Sequence, residues 1–246
     1  MSEQVLILGL QYAGYVLEVV LFVLLARSGR LRRLKGLCLY VTALFLIDGI
    51  ARPIALHCWG LESPSHRYFY FYWLTDIVLA LGQFLLICAF FRRACAREEK
   101  MWRFARLMLV FALVLVGAIS ALFLTRNYSQ LFTSFIIEFS QNLYFTCLVL
   151  NTLLFVMIQQ FSIEDEELGL LVCGIGVQFA GEAACLAFVH LTLNENFSRG
   201  LLTLLGPVCT LGMLLTWIYA ISKAGEPVRD RARTDRQAAL AEALSD

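Results

Sequence analysis

Five acidic residues interrupt stretches that are otherwise apolar: Glu18, Asp48, Asp76, Glu138 and Glu182. A carboxylate carried into hydrocarbon costs about 2.5–3.5 kcal/mol even on the lenient insertion scale, so each must face a protein interior, pair with something or take up a proton. Five such groups on five separate stretches read as a polar interior built to handle positive charge: a small cationic ligand, a metal ion or protons. Arg52 is the only intramembrane base, and it lies four residues after Asp48, on the same face of a helix. One guanidinium cannot balance five acids. Either several take up protons or a cation completes the site.

The stretches that must position these residues are long. Seven apolar runs stand out, roughly Val5–Ala26, Leu34–His57, Tyr68–Phe91, Met101–Leu124, Gln130–Ile158, Leu168–Leu191 and Leu201–Ser222. Each is long enough to cross ~30 Å of hydrocarbon at ~1.5 Å per residue, and helices are the only open-chain structure tolerated there. The composition agrees: 60% hydrophobic and 16% charged, with a mean hydropathy of +0.73. The predicted architecture is an all-α integral membrane protein, a seven-transmembrane-helix bundle over residues 1–223 with a short tail over 224–246. The start, Met1–Gln4, lacks the basic segment of a secretory signal, so the first run reads as a retained span.

Orientation follows from Lys and Arg. Sixteen of the twenty fall in the first and third connectors and the tail, against Arg67, Arg126 and Arg199 on the other side. The positive-inside rule places the N-terminus outside and the C-terminus in the cytoplasm. The fifth connector is an exception, with Glu164, Asp165, Glu166 and Glu167 and no base.

Counted from the predicted outer ends, Asp48, Asp76, Glu138 and Glu182 all lie ~12–14 Å deep, and Glu18 lies deeper, at roughly 20 Å. Four acids at one level predict a shared pocket in the outer half, with Arg52 orienting them, while Glu18 reads as a packing or water contact. Gln83, Gln141, Asn142 and Gln178 sit at helical spacing from these acids, and the aromatic run Tyr68–Trp73 precedes Asp76. Part of that run should form an interfacial belt and part a cavity mouth. Pro53 predicts a kink near the outer end of the second span. Gly176, Ala180 and Ala184 repeat every fourth position, a spacing that lets membrane helices approach closely. His57, His66 and His190 fall at the outer ends of the second, third and sixth spans, and imidazoles near carboxylates could hold a metal ion.

Much is excluded. Net charge is +1, which gives no electrostatic case for nucleic acid. The eight cysteines show no Cys-x-x-Cys pair and no disulfide framework. Phosphate-cradling glycine loops and nucleophile elbows are missing. The string Arg67-Tyr68 to Trp73-Leu74-Thr75-Asp76 is similar over about ten residues to the third-helix pattern of microbial rhodopsins, with Asp and Trp in reversed order. That resemblance implies retinal, which needs a lysine deep in the last span. Lys223 lies only at its edge, so retinal is not expected. The Asp-Arg-Tyr and Asn-Pro-x-x-Tyr signatures of G-protein-coupled receptors and the His-x-x-x-His of adiponectin-receptor-type hydrolases are absent.

The sequence therefore predicts a membrane binding protein of the receptor, sensor or transporter kind, with an outward-facing cavity lined by Asp48, Arg52, Asp76, Glu138 and Glu182. A bacterial inner membrane or another plasma membrane is the expected setting, the lipid bilayer the first partner and a separate cytoplasmic protein a second. A membrane-embedded metal-dependent enzyme and an accessory subunit of a larger complex are the alternatives.

Overall fold

The computed structural model describes residues 2–29, 31, 33–60, 67–96, 98–124, 131–161, 165–191 and 195–223, with side chains except at 2–7, 123–124, 131–138, 185–191 and 195–203. The tail 224–246, His66, Arg126 and Glu164 lie outside the described residues, as do the side chains of Glu138, His190 and Arg199.

The described residues are helical, with no strand among them. Eight α-helices follow in order: α1 (Ser2–Arg27), α2 (Lys35–Leu44), α3 (Arg52–Trp59), α4 (Arg67–Ala94), α5 (Glu99–Leu124), α6 (Leu131–Gln160), α7 (Glu166–Leu191) and α8 (Glu195–Lys223). A π-helical segment, Phe45–Ala51, joins α2 to α3 without a break. The composite α2–π–α3 rod counts as one, and seven rods are long and apolar enough to cross a membrane.

Proline explains the π segment. Pro53 has no N–H to offer the carbonyl four residues back, and its ring crowds that carbonyl. The backbone widens just before it, and the Arg52 N–H bonds the Ile47 carbonyl, five residues back. The expected kink is thus taken up as a change of helical register. Gly29 and Gly60, both at φ 65°, turn the chain out of α1 and α3.

Six rods close a ring: α1, α2–π–α3, α4, α6, α7, α8 and back to α1. The remaining helix, α5, packs outside it against α6 and α4 and shows Phe104, Leu107, Phe111 and Leu122 outward. The most extensive pair is α7 with α8. Gly174 and Gly181, two turns apart and so on one face of α7, allow it. A Cβ on Gly174 would lie 2.7 Å from the Trp217 ring, and one on Gly181 2.7 Å from Cys209 Cβ. Gly176 instead approaches Asn151 on α6, and Ala180 is exposed. The close face is therefore spaced by seven residues, not by the fours of Gly176, Ala180 and Ala184. Trp217 is fully buried and donates its Nε1–H to the Leu171 carbonyl at 2.9 Å.

The acidic fifth connector finds its reason at the basic end of the bundle. Asp165 accepts the Leu168 N–H at 3.2 Å, capping α7, and takes the Arg93 guanidinium through both oxygens at 2.9 Å. Glu167 meets the same guanidinium at 2.6 Å, and Lys223 reaches Glu166 at 2.7 Å. These acids tie the ends of α4 and α8 to the start of α7.

Two expected outcomes follow from this packing. Gly174→Ala drives a methyl into a ring that cannot move without losing its hydrogen bond, and should cost about 1–3 kcal/mol. Gly117→Ala, with nothing within 4 Å of its Cβ, should be near neutral, as thermal unfolding of the purified protein would read. Asp165→Ala should lower the midpoint more than Asp165→Asn, because the amide still caps α7, a contribution of about 1 kcal/mol. Equal losses in the two would show that the cap contributes nothing.

A carboxylate-lined cavity as the candidate functional site

Asp48 sits in the π segment, where its side chain turns toward α4, and Arg52 follows at the first turn of α3. The Arg52 guanidinium is mostly buried and fully engaged. NH1 donates to Asp48 Oδ1 at 2.6 Å, NH2 lies 3.7 Å from Asp76 Oδ1, and Nε donates to Thr75 Oγ1 at 3.1 Å. Its Cζ stands 4.2 Å above the centre of the Tyr72 ring, a cation–π distance. Tyr68, Tyr72 and Asp76 are successive i,i+4 positions of α4, which is why they share this face.

Asp76 reaches the other way as well, into α6. Ser140 donates to its Oδ2 at 2.5 Å and the Tyr144 hydroxyl to its Oδ1 at 3.3 Å. Glu182, on α7, accepts from Gln178 Nε2 at 2.8 Å, and Gln178 accepts in turn from Thr210 of α8 at 3.0 Å. Tyr15 of α1 donates to the Asp48 backbone carbonyl at 2.9 Å.

These groups line one cavity of about 740 Å³, bounded by every rod except α5. Glu18, Asp48, Asp76 and Glu182 all contribute to its wall, and Arg52 is the one base among its lining residues. These acids stand against a single guanidinium. Two of them are incompletely satisfied: Glu18 Oε2 and Glu182 Oε2 are buried and have no hydrogen-bond partner among the described residues. An unsatisfied buried carboxylate oxygen is among the costliest states a polar atom can occupy, and a cation or a proton relieves it.

The structure thus brings Asp48, Arg52, Asp76 and Glu182 together, and adds Glu18, which the depth count had set apart as a packing contact. Glu18 enters because its helix leans on α8 and α2–π–α3, which bound the same space. Gln83 and Gln178 line the cavity, whereas Gln141 does not and Asn142 turns to Ser120 of α5 at 3.4 Å. Of the aromatic run, Tyr68 and Tyr72 face the cavity, and Phe69 and Tyr70 are exposed. His57 lies off this lining. Pro53 and Leu56 take the cavity face of α3, and one residue further on, ~100° around the helix, His57 is exposed and away from the acids. Among the described residues no three His, Cys, Asp or Glu side chains come close enough to hold one metal ion. Sequence reasoning passed over Tyr15, Tyr40, Ser140 and Tyr144, although Tyr15 stands three residues before Glu18 and Ser140 four before Tyr144, spacings that could have marked them.

Arg52→Gln leaves Asp48 and Asp76 without their counter-charge in a mostly buried place. The expected loss is about 2–3 kcal/mol, at the low end for breaking a buried pair because Asp48 keeps some exposure. Asp48→Asn in the same background should restore part of it, and a double variant no more stable than Arg52→Gln would contradict the pairing.

The chain matches no protein-family model, no curated protein and no solved structure, so its function is read from the geometry above alone.

Proposed function

We propose that this is an integral membrane protein of the receptor, sensor or transporter kind, holding a small organic cation in the carboxylate-lined cavity. The observation that carries the reading is the charge balance of one enclosed space: four carboxylates against one guanidinium, with two buried carboxylate oxygens unpartnered.

Size and lining favour an organic cation over a bare ion. About 740 Å³ lies within the ~300–1,000 Å³ usual for small-molecule sites. Tyr12, Tyr15, Tyr40, Tyr68, Tyr72 and Tyr144 line it, and the ring of Tyr72 already receives a guanidinium. Aromatic faces beside carboxylates are the surroundings in which ammonium groups bind best.

The seven apolar rods and the apolar perimeter of α5 support insertion in a bilayer. The excess of Lys and Arg at one end supports an N-terminus outside and a C-terminus in the cytoplasm. Asp48, Asp76 and Glu182 then lie in the outer half, and the cavity takes its occupant from outside.

Thermal unfolding of the purified protein with choline, putrescine and phenethylamine tests this. A bound cation at ~100 times its Kd adds ~2.7 kcal/mol. Glu182→Gln and Asp76→Asn should each weaken binding about tenfold, or ~1.4 kcal/mol. Stabilisation by sodium or divalent metal salts alone would refute the organic-cation reading. Uptake of the stabilising amine by proteoliposomes would mark a transporter, and stabilisation without uptake a sensor.

A further inference from the structure

A second cavity, of about 1080 Å³, opens at the basic end, between the start of α2, the end of α4 and the start of α5. Four cations stand on it: Arg33, Lys35, Arg92 and Arg93. They are not equally occupied. Arg93 is committed to Asp165 and Glu167. Arg33 reaches Asp165 only at 3.6 Å, and Lys35 and Arg92 have no carboxylate within 4.0 Å among the described residues. Glu98 also stands on the wall, and even with Asp165, Glu167 and Glu98 counted the four cations leave the cleft positive.

The start of α2 adds a second donor set. Residues 34–37 line the cleft, and no side chain caps this helix at Leu34. The first N–H groups of a helix have no partner within it, and an uncapped N-terminus beside basic residues is a ready site for a phosphate. Gly36 lets the start of α2 close against α4, since a Cβ there would lie 3.1 Å from Ala89. Leu37, Leu86 and Phe90 behind the cleft belong to the core, and Met101 and Phe161 supply its accessible apolar surface.

From this pairing of free cations, helix N–H groups and apolar wall, we infer that the cleft seats the phosphate headgroup of an anionic phospholipid. A free phosphate would gain nothing from Met101 and Phe161, whereas a lipid places its chain there. The inference rests on the chain lying in a bilayer, where this end faces the leaflet that carries anionic lipid. It does not depend on what the first cavity binds.

The test uses the full chain, purified and delipidated in neutral detergent. Phosphatidylglycerol should raise the unfolding midpoint by several degrees, and native mass spectrometry should show one molecule retained. Phosphatidylcholine and inorganic phosphate at the same concentration should do neither. Lys35 and Arg92 are exposed, so Lys35→Gln with Arg92→Gln should fold normally and lose at least half of the shift. Lys100→Gln with Arg106→Gln, off the cleft, should keep it. Equal stabilisation by phosphatidylcholine, an equal effect of inorganic phosphate, or an unchanged response in the Lys35/Arg92 variant would each overturn the proposal. Should that variant not fold, Arg92→Gln alone, read by lipid retention, decides between the same outcomes.

Discussion

A single guanidinium holds the carboxylate cavity together. Arg52 reaches its own rod through Asp48 and crosses to α4 through Asp76, Thr75 and the Tyr72 ring. A mostly buried ion pair repays its desolvation only when further hydrogen bonds satisfy the remaining donors. Arg52 meets that condition by dividing its donors between two rods. The backbone is arranged to allow it. Pro53 forces the register to widen over Phe45–Ala51, and π segments of this kind recur where a side chain must be re-aimed.

The packing of α7 on α8 positions the opposite wall. Gly174 and Gly181 bring the two helices together and thereby fix the rotation of α7 about its axis. Glu182, one residue beyond Gly181, is turned ~100° from the contact face and so lines the cavity. Gln178 lies between, bonded to Glu182 on one side and Thr210 on the other. Beneath the cavity the polar groups act as struts. Gln83 donates to Tyr40 at 3.0 Å, and the Tyr40 ring meets Trp217 edge-on at 6.0 Å. The glycines that close the bundle and the carboxylate that lines its cavity thus belong to one geometric solution.

What could be read beforehand follows the same logic. The seven rods were legible because twenty consecutive apolar residues need no tertiary information to be recognised. Asp48 with Arg52 was legible because i,i+4 spacing sets a common face within one helix, whereas Tyr68 and Tyr72 were read only as part of the aromatic run before Asp76. That rule says nothing of how a helix is rotated against its neighbours. Asn142 follows Glu138 by four residues, yet it serves the contact with α5. Glu18 was misjudged because counting residues from a helix end gives depth along the rod and not the outline of the space beside it. Ser140 and Tyr144 share a helix face by the same rule, but nothing in the sequence says that this face meets Asp76 on another helix. The π segment was foreseen only as a kink, because proline dictates that the register must change but not how.

The two ends of the bundle are linked through α4 and α7. Asp76 and Arg93 are seventeen residues apart on α4, ~25 Å along one helix. Arg93 is clamped to Asp165 and Glu167 at the start of α7, while Asp76 and Glu182, toward the other ends of the same helices, face each other across open space. The two helices are thus joined by ion pairs at the basic end and separated at the other, where the cavity lies between Asp76 and Glu182.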